Sequence, residues 1–180
     1  MIQIRQSVFE TNSSSSHSIV VRNESEQLFR FADNEIYSDF ASYDGTTLTL
    51  TGGNYFGWGW DILTNWLDRF AYAIASFSGD DGTIERIISQ VKDRLGCEIE
   101  IGTHNPWWSD AKTVPDYGTV DHQSSDVLIY TLSGEGIDPV DFIFDDRYIV
   151  IIDNDNNDSD THDAFVAKLN VKKEYDAWGD

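Results

Sequence analysis

The chain has 180 residues, with 32 Asp and Glu against 12 Lys and Arg, and so carries a net charge of −20. A negative field of this size opposes direct binding to the phosphate backbone of nucleic acid or to an anionic membrane surface, and it favours a basic protein partner. The 6 Trp, 8 Tyr and 10 Phe supply enough apolar surface for a core, which excludes a wholly disordered chain. The single cysteine, Cys97, excludes an internal disulfide.

The N-terminal stretch predicts a β-hairpin with an unusual loop. Residues 2–9 and 19–22 alternate between apolar and polar side chains, as strands do. The segment between them contains Asn12 and four consecutive serines, residue types that hydrogen-bond their own backbone and favour turns. His17 follows directly. The sequence therefore predicts several hydroxyl groups and one imidazole on a loop held by strands.

Helix and strand patterns alternate over the next part of the chain. Asp61 is expected to cap a helix, because apolar residues from 62 to 77 recur with a period of 3.6. A second helix is expected to end at Gly96, since glycine readily adopts the left-handed conformation that closes many helices. In chain order the pattern predicts a helix over 24–31, a strand over 46–51, helices over 62–77 and 83–95, and a strand over 97–101.

Two shorter helices are predicted after a long connection. Residues 102–121 show little periodicity, and a connection of that length is usually functional or mobile. Ser124 or Ser125 can cap a helix that ends at Gly134. An Asp-Pro pair at 138–139 then provides a cap followed by proline at the first helical position, which predicts a short helix to about residue 144.

The C-terminal part completes the predicted fold. Residues 147–152 are apolar and mostly β-branched, as is typical of a central strand. Residues 153–163 contain no large apolar side chain and are expected to form an exposed acidic loop, followed by a tail element, helix or strand, over 164–180. We therefore predict one acidic α+β domain over residues 1–180, with an antiparallel or mixed sheet and about four helices packed on it.

The serine–histidine loop is the first candidate for chemistry, together with a second polar turn that contains an Asp-His pair. Histidine can accept a hydroxyl proton near neutral pH while an aspartate orients its ring, and the same groups suit zinc, iron or manganese. No nucleophile-elbow, zinc-helix or phosphate-loop motif accompanies them, so hydrogen-bonded structural turns are the alternative. The candidate residues are Ser13, Ser14, Ser15, Ser16, His17, Asp121 and His122.

A weak cation site is the second candidate. Four oxygen-bearing side chains occupy alternate positions, as the early ligands of a calcium loop do. The sixth position is Asp158 where such a loop needs glycine, and the twelfth is Ala164 where it needs a bidentate glutamate. The alternating residues are Asp153, Asp155, Asn157 and Ser159.

The same segment can also act through its charge. Eight aspartates lie between residues 141 and 163, with Arg147 as the single basic residue. Carboxylates on neighbouring loops can occupy a basic groove in place of phosphates, and nearby aromatic side chains can anchor a partner; a solvated loop and buried aromatics are the alternative. The predicted partner-binding residues are Asp145, Asp146, Asp153, Asp155, Asp158, Asp160, Asp163, Trp107 and Trp108.

A resemblance adds to this interpretation. Residues 5–18, RQSVFETNSSSSHS, resemble the start of a group of small proteins encoded by phages and mobile elements of bacteria, and residues 120–124, VDHQS, also look similar. Small acidic phage proteins of this size include anti-CRISPR inhibitors, which bind a host effector such as a Cas9-type nuclease and block its access to DNA. The resemblance thus implies an inhibitor by association, and it implies no catalytic residue.

Two functions are therefore expected, in order. The first is a non-enzymatic, anti-CRISPR-like inhibitor that binds a basic nucleic-acid-handling protein through its acidic surface. The alternative is a hydrolase or metal-dependent enzyme that acts on a nucleotide or phosphoester at the serine–histidine loop, and a virion component is a third possibility. We expect no cofactor and no membrane partner. Because the chain has no long apolar run and no secretory leader, we expect it in the cytoplasm of a bacterial host.

Overall fold

Twelve strands and five helices are formed by the residues that the structure describes. A computed structural model describes residues 15–23, 36–57, 59–104, 113–121, 124, 126–154 and 159–176, so the predicted strand over 2–9 and helix over 24–31 lie outside the described residues. The strands are β1 (Ser15–Arg22), β2 (Ile36–Tyr37), β3 (Ala41–Tyr43), β4 (Thr47–Leu50), β5 (Tyr55–Phe56), β6 (Asp61–Leu63), β7 (Glu98–Ile101), β8 (Thr103–His104), β9 (Val114–Pro115), β10 (Thr119–Val120), β11 (Tyr148–Asn154) and β12 (Val171–Asp176). The helices are α1 (Trp66–Ser76), α2 (Asp81–Leu95), α3 (Val127–Glu135), α4 (Pro139–Phe144) and α5 (Ser159–Val166).

The main sheet has the strand order β12-β1-β11-β6, and all its neighbours run antiparallel. β1 and β11 lie inside it, which explains why consecutive residues of both strands are apolar: each face of the sheet is covered. Ile149, Val150, Ile151 and Ile152 are all at most 1% exposed. The predicted central strand over 147–152 is confirmed.

Different layers cover the two faces of the main sheet. On one side, called here the α1 face, Ile19 and Ile152 join a large apolar cluster with α1, α3 and α4. On the other side, the α5 face, Val20, Ile149 and Ile151 form a small cluster under α5. The tail, for which the sequence predicts helix and strand as alternatives, contains the last residues of α5, to Val166, and then β12.

A second, mixed sheet has the order β2-β3-β4-β7, with β4 and β7 parallel. The predicted strands over 46–51 and 97–101 are confirmed here. Two short ribbons, β5 with β10 and β8 with β9, complete the strand pairing of the described residues. With helices and sheets mixed along the chain, the protein has an α+β fold, as predicted.

The predicted start of α1 is wrong. Asp61 does not cap a helix, because Asp61–Leu63 forms β6 and pairs with β11. The cap is Asn65, whose side-chain oxygen accepts a hydrogen bond of 2.9 Å from the backbone N–H of Asp68. The end of α2 is confirmed, since Gly96 has φ +64° and donates to the carbonyl of Lys92 at 2.8 Å.

The remaining helices correct smaller details. The N-cap of α3 is Asp126 rather than Ser124 or Ser125, and the helix passes Gly134 to close at Gly136, whose φ is +66°. α4 begins as predicted, with the Asp138 carboxylate accepting from the N–H of Val140 at 2.8 Å. The predicted acidic loop over 153–163 is wrong at both ends, because β11 continues to Asn154 and α5 begins at Ser159.

Candidate functional site

The serine–histidine segment is a strand and not a loop over the residues described. Ser15 to Ser18 belong to β1 and pair with β11, with Ser16 opposite Asp153 and His17 opposite Ile152. The prediction of a loop fails there because the ladder with β11 outweighs the turn preference of serine. Ser13, Ser14 and His122 lie outside the described residues.

His17 is buried on the α1 face. Its side chain is 0% exposed, and Nδ1 lies 2.9 Å from the hydroxyl of Tyr72 on α1. The two rings are tilted, with centroids 5.7 Å apart. Within the described part of the chain, Nε2 has no hydrogen-bond partner. A buried imidazole of this kind is held rigidly but is shielded from solvent.

The protonation state of His17 follows from its burial. Loss of hydration lowers the pKa of His17 to about 4, and the negative charge of Asp121 opposes the shift only in part. The ring is therefore neutral at pH 7. The influence of Asp121 on this pKa fits the prediction that Asp121 lies near His17. Asp121 follows β10, is 6% exposed, and donates its backbone N–H to the carbonyl of Phe56 at 2.8 Å.

Neither of the β1 serines whose side chains are described faces His17. Side chains alternate along a strand, so Ser16 and Ser18 point to the opposite side from His17. Ser18 is 4% exposed and its Oγ lies 3.1 Å from Nε2 of His162 on α5. A serine hydrolase at this position would therefore not use Ser16 or Ser18; the side chain of Ser15 is not described, and Ser13, Ser14 and His122 lie outside the described residues.

The predicted acidic surface is divided by β11. Asp145 and Asp146 precede the strand and Asp153 lies near its other end, so the seven-residue strand separates them by about 20 Å. Asp163 lies on α5, 3.4 Å from the ring of His162, which contacts Ser18 opposite Ile151 of β11. The side chain of Asp160 is not described, and Asp155, Asp158, Trp107 and Trp108 lie outside the described residues.

Asp145 and Asp146 are both compensated by arginine. The Nε of Arg147 donates to the two carboxylate oxygens of Asp145 at 2.9 and 3.0 Å, and this contact lowers the pKa of Asp145. Asp146 lies 3.4 Å from Arg69, a fully buried side chain. The charge available to a partner at this end is therefore smaller than the sequence indicates.

Arg69 itself is a structural cation that sequence reasoning missed. Its Nε donates to the carbonyl of Ile143 at 3.0 Å, and Nη1 donates to the carbonyls of Thr64 and Tyr148 at 2.7 and 3.1 Å. One guanidinium thus joins α1 to the end of α4 and the start of β11. An arginine among apolar residues of a predicted helix is the only sequence signal.

The opposite end of β11 has a different polar group. His162 Nε2 lies 3.0 Å from Glu174 on β12, and Nδ1 lies 3.4 Å from Asp163, whose side chain is 84% exposed. Over the described residues no group of three or more His, Cys, Asp or Glu side chains is placed to hold a metal ion. For the proposed cation ligands, Asp153 is on β11, Ser159 begins α5 without a described side chain, and Asp155 and Asn157 lie outside the described residues.

Exposed carboxylates also lie far from the predicted acidic segment. Two of them act on Tyr117, whose pKa is raised by burial and then by the charges of Asp81 and Glu85 of α2. None of the following exposed acids forms an ion pair with another described residue: Asp39, Asp44, Asp80, Asp81, Glu85, Asp93, Glu100, Asp126 and Asp141. The sequence signalled this charge only through its total.

Fold and surface together define an acidic α+β protein. None of its described helices has the length and apolar character needed to cross a lipid bilayer. In comparisons with known proteins, no family model, no curated protein and no solved structure matches the chain. The resemblance of residues 5–18 to phage proteins thus stays a prediction from the sequence.

Proposed function

We propose that the protein is an inhibitor that binds a basic nucleic-acid-handling protein, such as a Cas9-type nuclease, in the cytoplasm of a bacterial host. The observation that carries this proposal is the net charge of −20, of which a large part is exposed and outside ion pairs in the described residues. Such a surface attracts a partner whose groove normally holds phosphates. The resemblance to phage proteins supports the same direction.

The charge distribution refines which carboxylates act on the partner. Asp145 and Asp146 contribute little net charge because Arg147 and Arg69 accompany them. Asp153 and Asp163 lie at the far end of β11, next to the segment 155–158 with its two further aspartates. We propose that the partner-binding charge lies at that end because five aspartates fall within residues 153–163. Carboxylates there would enter the phosphate-binding groove and exclude nucleic acid sterically.

The first experiment identifies the partner. The purified protein is immobilised, host lysate is applied at low and at high salt, and retained proteins are identified by mass spectrometry. We expect a basic nuclease or nucleic-acid-binding protein that is retained at low salt and released at high salt, because exposed charges are screened as ionic strength rises. Retention of no such protein at either salt concentration would overturn the proposal.

The second experiment locates the surface. Two variants that each remove four negative charges are compared in binding kinetics with the captured partner. We expect the test variant, which removes charges of residues 153–160, to lower the association rate roughly tenfold. The control variant, which removes charges elsewhere, should lower it much less, since steering depends on where the charge lies. Equal effects would contradict a local site. The test variant carries Asp153→Asn, Asp155→Asn, Asp158→Asn and Asp160→Asn, and the control carries Glu85→Gln, Asp93→Asn, Glu100→Gln and Asp126→Asn.

A further inference from the structure

An open cavity of about 360 Å³ lies where α2, the turn before α4 and the start of β11 meet. This volume is within the range of small-molecule sites, which begins at roughly 300 Å³. Its walls combine aromatic and charged side chains in a protein whose other exposed groups are mainly acidic. The lining residues that matter here are Arg94, Asp141, Phe144, Asp145, Arg147 and Tyr148.

Arg94 is held in the cavity by a stack of aromatic rings. Its guanidinium carbon lies 4.3 Å from the ring centroid of Phe144. The Phe144 ring stacks in turn on Trp66, with centroids 5.3 Å apart and an interplanar angle of 25°. Tyr43 contacts Trp66 edge-on at 5.7 Å. Because the guanidinium already rests on the Phe144 ring, less side-chain freedom is lost when it binds a ligand.

The hydrogen-bonding capacity of Arg94 is unused in the described part of the chain. No carboxylate or carbonyl of the described residues accepts from its guanidinium, whereas Arg86 on the same helix pairs with Asp138 at 2.7 Å. A planar guanidinium with free N–H groups matches the geometry of a carboxylate or phosphate. Arg94, which is exposed, is thus a positioned donor with no acceptor among the described residues.

The other polar groups of the cavity do not compete strongly for Arg94. Arg147 uses Nε and Nη2 on Asp145, which leaves Nη1 to donate elsewhere. Burial raises the pKa of Tyr148, and the charge of Asp145 raises it further, so its hydroxyl keeps its proton at neutral pH. With Asp145 neutralised by Arg147, Asp141 is the remaining uncompensated carboxylate.

We propose that this cavity binds a small molecule with a carboxylate or phosphate group, which accepts hydrogen bonds from Arg94 and Arg147. The stacked ring of Phe144 would contact the apolar part of the ligand. This site is separate from the partner surface proposed above, since it needs neither the Asp153 end of β11 nor a protein partner. Its failure and that of the inhibitor proposal are therefore independent.

Calorimetric titration at low salt with three probes of similar size tests the proposal. Benzoate supplies a carboxylate, phenyl phosphate supplies a phosphate, and neutral benzamide supplies neither. We expect saturable binding of at least one anionic probe and none of benzamide, and the preferred anion identifies the ligand class. Equal binding of benzamide, or no binding of either anion, would overturn the proposal.

Matched variants of α2 assign the binding to the cavity. Arg94→Gln is expected to weaken binding of the anionic probe at least tenfold, and Arg94→Lys to weaken it less because a charge remains. Lys92→Gln removes the same charge two residues away, outside the lining, and should change the affinity less than twofold. If Arg94→Gln and Lys92→Gln weaken binding equally, the general field and not the cavity holds the anion. Thermal unfolding of each variant confirms that it is folded.

Discussion

The two faces of the main sheet differ in depth although the same strands form both. On the α1 face, Ile19, Val150 and Ile152 join a cluster that extends through α1, α2, α3 and α4. On the α5 face, three buried residues are covered by half-buried side chains such as Trp60 and Phe165. The difference also separates two of the four histidines, since His17 is fully buried and His162 contacts exposed acids. Position on one face or the other thus decides what a residue of a given type can do.

Adjacent isoleucines of β11 provide the strongest test of this comparison. Ile152 and Ile151 are both 0% exposed, on the α1 and the α5 face respectively. We expect Ile152→Ala to lower the free energy of unfolding by about 3–5 kcal/mol and Ile151→Ala by about 2–3 kcal/mol, because a thin layer can collapse into the space left. Denaturant titration of both variants measures the difference. A larger loss for Ile151→Ala would reverse the assignment of the deeper core.

His17 gives the α1 face a pH dependence. The folded pKa of His17 is about 4 and the unfolded value is 6.5, so the unfolded state binds the additional proton between these values. The contribution of His17 to stability is therefore present above pH 6.5 and is lost as pH falls towards 4, by up to about 3 kcal/mol. The difference in unfolding free energy between the native protein and His17→Gln, followed from pH 7 to 4, measures it.

Two glutamine substitutions distinguish the contribution of His17 to this pH dependence from that of His162. His17→Gln should abolish this acid-induced loss, because glutamine does not titrate. His162→Gln, on the α5 face, should retain it. Should both variants keep the loss, another group would be responsible and the burial of His17 would not be its cause.

Asp68 changes the stability with pH in the direction opposite to His17, over nearly the same pH range. Burial raises the pKa of Asp68 to about 6, although hydrogen bonding to Ser38, the charge of Arg69 and hydrogen bonding to Asn65 each lower it in part. The unfolded value is 3.8, so the folded state binds the proton and stability rises as pH falls from about 6 to 3.8. In the native protein this gain offsets part of the loss from His17.

Removing Asp68 should therefore expose the full effect of His17. In Asp68→Asn we expect the unfolding free energy to fall by about 2–3 kcal/mol more between pH 6 and 4 than it does in the native protein. The same pH series of denaturant titrations measures it, with the exposed Asp93→Asn as a control that should leave the slope unchanged. An unchanged slope in Asp68→Asn would show that this carboxyl is ionised and solvated in the folded state.

Local signals were sufficient to predict several elements. Gly96 and the Asp138-Pro139 pair mark helix ends through backbone preferences that act within a few residues. The prediction that Asp61 caps a helix was wrong because residues 62 and 63 fit a helical period by chance, while pairing with β11 decided their conformation. Such long-range pairing is invisible in the order of residues.

The candidate site was predictable in composition but not in geometry. Residue types indicated that His17 and Asp121 could act together, and in the structure the charge of Asp121 opposes the lowering of the His17 pKa. The alternation of β1 turns Ser16 and Ser18 away, and nothing in the sequence marks Tyr72 as the partner of His17. The cavity at Arg94 was missed because a basic residue in the last turn of a helix is ordinary.

The polar contact of Ser18 allows the smallest and most specific test of the α5 face. Ser18→Ala removes the contact between Oγ and His162, which joins β1 to α5, and should cost about 0.5–1.5 kcal/mol. His162 keeps Glu174 at 3.0 Å, so the loss stays modest. Ser76→Ala is the matched control. Oγ of Ser76 donates at 2.8 Å to the Tyr72 carbonyl within α1, so this hydrogen bond does not join two elements and its loss should be nearly neutral. If denaturant titration finds Ser18→Ala equally neutral, apolar packing alone holds α5 on the sheet.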